Sequence, residues 1–232
     1  MDTMKYIVHY GATQLLGVFS HADLVLRYGS RVIVKTPRGQ EVGTVRCEAT
    51  LNVVEKLEGG FIEDRILRSM TETDELEYRK LQSTEQEKLE CCRRIVRELG
   101  VKMDVVRVEH IFGGERIIVY YTADGRIDFR ELVKVFAAEF QTRIEMRQIN
   151  IREGMKLLPN LGDCGREVCC GSFLHETPTI TIKMAKLQRV TLDPSKISGH
   201  CGRLKCCLRY EYDCYAEKQK KSSNPETSKA QP

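Results

Sequence analysis

The most chemically distinctive feature of this 232-residue chain is a nine-residue cysteine motif that occurs twice. The first copy spans residues 162–170 and the second spans residues 199–207. Both read G-x-C-G-R-x-x-C-C, and six of the nine positions are identical. Scattered thiols that only fill a core do not repeat in this way, so the duplication predicts a built thiol site. The motif cysteines are Cys164, Cys169, Cys170, Cys201, Cys206 and Cys207.

Thiolates at this spacing suit a metal ion or an iron–sulfur cluster. Cysteine sulfur is a soft ligand that zinc and iron–sulfur clusters prefer, and the C-x4-C spacing occurs in both kinds of site. Because such centres take about four protein ligands, three cysteines leave each copy one ligand short. Either the two copies meet at a single site, or each takes a further ligand from Cys214, His175, His200 or another chain.

Two other interpretations of the cysteines stay open. One is thiol–disulfide chemistry, in which Cys169 or Cys170 pairs with a cysteine of the other copy, because a disulfide between adjacent residues is strained. The other is the packing of small thiols in a glycine-rich fold. Gly165 and Gly202 allow the sharp turns that bring neighbouring sulfurs together. The repetition favours metal or cluster binding over both alternatives.

A basic segment surrounds the second copy. Residues 183–209 contain seven lysines and arginines and a single acidic residue, Asp193, whereas the whole chain has a net charge of only +4. Tyr210, Tyr212 and Tyr215 follow. Cations with nearby aromatic rings are typical of surfaces that bind phosphates and stacked bases, and a solvated face that binds nothing is an equal alternative. The candidate contacts to nucleic acid or to a protein partner are Arg166, Lys183, Lys186, Arg189, Lys196, Arg203 and Arg209.

No catalytic motif accompanies these features. The sequence has no P-loop, no G-x-G-x-x-G and no H-E-x-x-H, and its five histidines lie far apart along the chain. Hydrophobic residues make up 41% of the chain, which excludes wholesale disorder. No apolar run is long enough to span a bilayer, and the N-terminus lacks a signal-peptide pattern. We therefore expect a cytoplasmic, non-enzymatic protein whose thiols stay reduced.

The rest of the chain predicts the elements that position these residues, and the fold class is α+β. Residues 1–60 contain short β-branched segments and turn signals, which predict a small β-rich unit. Residues 61–158 combine a long helix over 73–99 with the order helix–strand–strand–helix–strand, which predicts a ferredoxin-like or KH-like α+β sandwich. Residues 159–215 form a Cys-rich segment. Residues 216–232 contain no large apolar side chain and predict a disordered tail.

The doubled motif and its neighbouring stretches resemble the bacterial YaaT (RicT) family. Besides the motif, residues 182–188 and 194–211 carry the resemblance most specifically, and it extends over about residues 5–215. Members of this family are stage-zero sporulation-type proteins with a polymerase-suppressor C-terminal domain. Lys205 departs from the family pattern, in which a hydrophobic residue is expected. A charge at this position is expected to alter the surroundings of any bound group.

The resemblance implies a non-enzymatic regulatory or adaptor subunit of a cytoplasmic complex. Family members act with two small helical partners, RicA (YmcA) and RicF (YlbF), and the complex holds 4Fe–4S clusters through cysteines from more than one chain. That complex affects mRNA processing by a membrane-associated endoribonuclease and, through it, sporulation, competence and biofilm formation. The cluster-associated cysteines of the family correspond here to the six motif cysteines. The alternative from the residues alone is a nucleic-acid-binding module whose cysteines hold zinc or simply pack.

Overall fold

The chain forms two compact units, Met1–Asn150 and Ile151–Pro232. The computed structural model describes residues 4–22, 25–50, 62–125, 127–158, 160–174 and 178–223. The first unit contains a β-barrel and a helix-covered sheet, and the second contains short helices around the cysteine motifs. The predicted α+β class is confirmed.

A closed five-stranded barrel occupies the start of the first unit. Its strands are β1 (Met4–Tyr10), β2 (Leu15–His21), β3 (Arg31–Thr36), β4 (Gly39–Glu48) and β5 (Ile62–Ser69). They close in the order β1-β2-β5-β3-β4, with β2 and β5 parallel and the other pairs antiparallel. Closure pairs every strand on both sides and removes the free edges. Because β5 lies beyond residue 60, the barrel extends past the boundary that the sequence predicts for the β-rich unit.

The barrel interior is tight enough that one strand position requires glycine. A Cβ atom on Gly43 of β4 would lie 2.4 Å from Cγ1 of Val8 and 3.3 Å from the carbonyl oxygen of His9 on β1. A side chain at residue 43 would therefore push β1 and β4 apart. Val8, Val34 and Val45 are almost completely buried around this crossing, as expected for β-branched residues inside a small barrel.

A 27-residue helix, α1 (Glu72–Glu98), follows the barrel and begins with a reciprocal cap. The hydroxyl of Thr71 accepts a hydrogen bond from the backbone N–H of Asp74, and the Asp74 carboxylate accepts one from the Thr71 N–H at 2.9 Å. Arg68 also pairs with this carboxylate. The hydrogen bond from Arg68, reinforced by those from Thr71, holds the pKa of Asp74 well below its usual range.

Thr71→Ala is expected to lower the free energy of unfolding by about 1 kcal/mol, because an N–H at the start of α1 loses its acceptor. Urea denaturation of both proteins measures the difference. Ser83→Ala is the matched control, because Ser83 is exposed in the interior of the same helix and, within the described residues, bonds only the carbonyl of Lys80. Equal losses at residues 71 and 83 would contradict the capping role.

Two helices cover a three-stranded sheet in the remainder of the first unit. After α1 come β6 (Asp104–His110), β7 (Arg116–Thr122), α2 (Arg130–Phe140) and β8 (Arg143–Gln148). The sheet order is β6-β7-β8, with β6 antiparallel and β8 parallel to β7. This is the element order that the sequence predicts, while the narrower ferredoxin-like or KH-like assignment stays a prediction.

The core between these helices and the sheet contains a cysteine outside the motifs. Cys92 of α1 is fully buried there with Leu132 and Phe136 of α2. Burial raises the pKa of the Cys92 thiol to about 12. Cys91 is partly buried at the edge of the same core, and Cys47 is exposed on the barrel. Cys92 is therefore a packing residue that stays protonated.

A buried ion network joins the barrel to the sheet. Arg38, between β3 and β4, pairs with Glu41 of the barrel, and its Nη1 lies 3.2 Å from the Glu109 carboxylate on β6. The same nitrogen donates to the Tyr120 hydroxyl at 2.9 Å, and that hydroxyl donates to Glu109 at 2.6 Å. The backbone N–H of Ala12 donates to Glu109 at 2.5 Å. One guanidinium and one hydroxyl therefore serve two buried carboxylates in this network.

The second unit is built from short helices around a small apolar core. They are α3 (Ile151–Lys156), α4 (Cys169–Ser172), α5 (Ile182–Leu187), α6 (Pro194–Ile197), α7 (Cys207–Tyr210) and α8 (Tyr212–Ser223). Because α3 belongs to this unit, the unit begins at residue 151 rather than at the predicted residue 159.

The end of the chain differs in part from the predicted tail. Residues 216–223, which the sequence predicts to be disordered, are helical, and residues 224–232 lie outside the described part. None of the described helices is long and apolar enough to cross a membrane.

Candidate metal centre

The two motif copies fold into the same tight turn. In the first copy the N–H of Gly162 donates to the carbonyl of Arg166 at 2.7 Å, and the N–H of Gly165 donates to the carbonyl of Gly162 at 2.9 Å. The second copy repeats both bonds at the corresponding residues, at 2.8 and 2.9 Å. One β-bridge closes each turn at its base. The repeat in sequence is therefore a repeat in structure.

Glycine at the fourth motif position is required by the backbone of this turn. Gly165 has φ +76° and Gly202 has φ +70°, in the left-handed region that side chains disfavour. The left-handed residue reverses the chain, which then enters a one-turn helix at or beside the adjacent cysteines, α4 in the first copy and α7 in the second. The turn thus lies between the first cysteine of each copy and the last two.

All six motif cysteines line one pocket with a volume of about 320 Å³. Its wall also includes Arg152 and Met155 of α3 and the polar side chains of Asp163, His200 and Lys205. The structure therefore brings together the two sets of cysteines that lie far apart in the sequence. That these cysteines ligate a metal or cluster stays a prediction.

Two sulfurs, one from each copy, are hydrogen-bonded within this pocket. The Cys170 thiol donates to the sulfur of Cys206, and this bond, opposed by burial and aided by the charge of Arg152, lowers the pKa of Cys206 to about 6. The same bond, together with burial, raises the pKa of Cys170. Burial raises the pKa of Cys169 to about 11 and also raises that of Cys207. Within this pair, Cys206 is therefore the sulfur that loses its proton more readily.

An ion pair connects the two copies at the pocket. The ammonium of Lys205 lies 2.5 Å from one Asp163 oxygen, and Nε2 of His200 lies 3.5 Å from the other. The hydrogen bond from Lys205 lowers the pKa of Asp163. Asp163 belongs to the first copy, and the other two residues belong to the second. Lys205 thus has an acidic partner supplied by the other copy.

The donors around the pocket fit a thiolate-bound cluster in type and number. Six thiols line it, and the pKa of one of them, Cys206, is lowered. Among the residues that the structure describes, no three Cys, His, Asp or Glu side chains stand close enough to hold a single metal ion. A polynuclear cluster takes about four thiolates spread around a larger body. The chemistry of the donors therefore fits a cluster, whereas a preformed single-ion site is absent from the described residues.

Of the three further ligand candidates from the sequence, the structure describes two, and one of these lines the pocket. His200 lines the pocket, whereas Cys214 is exposed and is not among the lining residues. His175 lies outside the described residues. His200 is therefore the one of these three that the described structure places beside the motif cysteines.

The candidate basic contacts do not line the thiol pocket. Lys183 and Lys186 are exposed on α5, and Arg209 of α7 pairs with Asp213 at 2.9 Å. Contact of these residues with nucleic acid or a partner stays a prediction. The remaining candidates are also exposed, and they are Arg166, Arg189, Lys196 and Arg203.

Sequence reasoning missed the contribution of α3 to the pocket. Arg152 donates a hydrogen bond to the carbonyl of Leu204 at 2.8 Å, which ties α3 to the second motif copy, and Met155 adds apolar surface. Neither residue belongs to a recognisable metal-binding spacing. Only their positions in the folded unit associate them with the cysteines.

Two protein-family models match the chain. The PSP1 C-terminal conserved region matches residues 64–149, from within β5 to just past β8. The third domain of PSP1-like proteins matches residues 179–222, which include the basic segment and the second motif copy. Both units therefore contain sequence that is similar to PSP1-type proteins.

Two relatives show the extent of the similarity. The chain is 42% identical over 190 residues to the stage 0 sporulation protein YaaT of Bacillus subtilis (strain 168), covering 82% of this chain and 68% of that protein. It is 27% identical over 172 residues to an uncharacterised protein of Schizosaccharomyces pombe, covering 61% of this chain and 22% of that protein. No solved structure matches the chain.

Proposed function

Because this chain belongs to the family of the stage 0 sporulation protein YaaT, we propose that it is a sporulation-type regulatory subunit whose doubled cysteine motif holds a 4Fe–4S cluster. The observation that carries the proposal is the single pocket lined by all six motif cysteines. A duplicated turn that serves only packing does not need three thiols from each copy around a shared cavity.

The pocket residues have separate parts in this proposal. The ligands come from both copies among Cys164, Cys169, Cys170, Cys201, Cys206 and Cys207. Cys206, whose pKa is lowered by the hydrogen bond from Cys170, is the sulfur that loses its proton most readily on binding. The ion pair between Lys205 and Asp163 holds the copies together beside the sulfurs. When bound, the cluster supplies a one-electron redox centre.

The wider role follows from the family and is proposed with it. The chain acts as a non-enzymatic adaptor in a cytoplasmic complex with small helical RicA (YmcA)-like and RicF (YlbF)-like subunits, which share the cluster. This complex modulates mRNA processing by an endoribonuclease in sporulation, competence and biofilm programmes. The absence of any P-loop, G-x-G-x-x-G or H-E-x-x-H motif from the sequence supports the non-enzymatic role.

Metal and sulfide analysis of the anaerobically purified protein tests the proposal. The full chain is purified alone and after co-expression with the two candidate partners, and iron, acid-labile sulfide, zinc and visible absorbance are measured. We expect iron and sulfide in equal amounts together with visible absorbance in the complex. Stoichiometric zinc would instead support the structural-zinc alternative, and a colourless complex without either metal would contradict both.

A further inference from the structure

A second cleft lies between α5 and α8 and shares no residue with the thiol pocket. Its volume is about 320 Å³. Two of its side chains are cations, one is an aromatic ring, and none of the described lining residues is acidic. The cluster proposed above uses none of them. The lining residues are Leu187, Gln188, Arg189, Tyr215, Lys218 and Gln219.

The backbone of Arg189 in this cleft is strained. The residue has φ +55° and directly follows the C-cap of α5. Its N–H bonds the carbonyl of Lys186 at 3.0 Å, and the N–H of Val190 bonds the carbonyl of Ala185 at 3.0 Å. This pair of bonds ends many helices and usually has glycine at the left-handed position. Glycine at residue 189 would relieve this strain. The presence of an arginine there therefore points to a role for its guanidinium.

The cleft and the helix α5 beside it carry four exposed cations, of which Arg189 and Lys218 line the cleft. Lys183 and Lys186 lie about one turn apart on α5, and both are exposed, as are Arg189 and Lys218. Within the described residues, none of these four cations forms an ion pair. Cations that face a cleft without carboxylates attract phosphate groups, because the counter-charge is left to a ligand.

An aromatic ring gives the cleft a second recognition element. Tyr215 is 38% exposed, and the ammonium of Lys218 lies 5.7 Å from the centre of its ring. A partly exposed ring beside cations is the usual platform on which nucleobases stack in single-strand binding proteins. Cations alone suit any polyanion, whereas the ring favours one that carries bases.

We propose that this cleft binds a single strand of RNA, with a phosphate between Arg189 and Lys218 and a base stacked on Tyr215. The basic residues of α5 extend the positive surface beyond the cleft, toward neighbouring phosphates. The choice of RNA over other base-bearing polyanions rests on the role in mRNA processing proposed above. Binding of the strand itself rests only on the cleft.

Fluorescence anisotropy with a labelled oligouridylate of about 12 nucleotides tests the proposal on the full chain. Arg189→Gly is expected to weaken binding several-fold and to reduce the slope of log affinity against log salt by about 0.7, the value for one phosphate contact on a single strand. The same variant is expected to keep or raise the Tm, because glycine relieves the left-handed strain. Tyr215→Leu is expected to weaken binding on the order of 10-fold with little change in slope.

Gln141→Gly is the matched control for the change of backbone. Gln141 also has a positive φ, +48°, at the end of α2, in the other unit. This variant should keep or raise the Tm without a loss of RNA affinity. Unchanged affinity in either Arg189→Gly or Tyr215→Leu would overturn the proposal, and so would inorganic polyphosphate competing as well as the RNA.

The iron content of the same preparations distinguishes a failure of this proposal from a failure of the cluster proposal. Weak RNA binding by Arg189→Gly with full iron content supports the cleft as an independent site. Tight RNA binding by a wild-type protein that never acquires iron also supports the cleft, and contradicts only the cluster proposal.

Discussion

Arg38→Met is expected to lower the free energy of unfolding by about 3–5 kcal/mol. The change leaves the carboxylates of Glu41 and Glu109 buried without the guanidinium between them, and their side chains are only 3% and 10% exposed. A buried charge that loses its partner is far more costly than a pair that is absent altogether. Methionine keeps most of the side-chain volume, so the loss reports charge rather than packing. Urea denaturation at pH 7 measures it.

The loss is expected to shrink in acid. Burial raises the pKa of Glu41, while the charge and hydrogen bond of Arg38 oppose that rise, so the pKa in the native variant is higher still. A carboxyl whose native pKa lies above its unfolded pKa binds more protons in the native state. Its contribution to the free energy of unfolding therefore falls as the pH rises from the ordinary pKa of 4.5 through the raised native pKa. We expect the variant to be closer to wild type at about pH 5 than at about pH 7, because pH 5 lies only slightly above that ordinary value.

Arg65→Met is the control for the loss of an arginine from the barrel. Arg65 is exposed on β5 and its guanidinium forms no ion pair within the described residues. Its replacement should change the stability by less than about 0.5 kcal/mol. Equal losses at residues 38 and 65, or a loss at residue 38 that does not depend on pH, would contradict the role of the buried network.

Cys206→Ser is expected to remove nearly all of the iron from the anaerobically purified complex. The reason is that both motif copies line one pocket, so a ligand lost from one copy weakens the whole site. Cys170→Ser, the change in the other copy, should have the same effect. Iron and acid-labile sulfide per chain are the measurements, with circular dichroism to show that the variants are folded.

Cys214→Ser is the matched control for this pair. Cys214 is exposed and does not line the pocket, so its replacement should leave the iron content unchanged. If each copy instead held a centre of its own, about half of the iron would remain in Cys206→Ser, and the shared pocket would be rejected. Full iron in Cys170→Ser would also count against it.

The barrel shows why the boundaries of the first unit could be predicted only in part. The β-branched residues of β3 and β4 and the turn between them indicate a hairpin, because alternation and turn residues act over a few neighbours. The place of β5 depends on parallel pairing with β2, about 45 residues earlier, and nothing local records that pairing. Residue 60 therefore looks like an exit from the β-rich unit when the fifth strand is still to come.

The residues of the candidate site could likewise be predicted from the sequence only in part. A repeat of identical residue types can be read directly, so the six cysteines and the two turn glycines follow from the sequence. Arg152 and the partnership of Asp163 with Lys205 do not follow, because a single cation or carboxylate carries no signal about what it will face. The strained Arg189 is similar, since the lack of glycine at a helix end is visible only once the end of the helix is known.

By itself, the sequence determined the chemistry available to this protein: two equal sets of thiols, the glycines that turn the chain beside them, a basic segment and the local periodicity of an α+β fold. Only the tertiary structure decided that both sets share one pocket, that Cys170 lowers the pKa of Cys206, and that Arg189 and Lys218 flank one cleft. The physical reason is distance along the chain. Residue types and short spacings are local properties, whereas these contacts join residues about 30 or more positions apart and depend on how the whole unit packs.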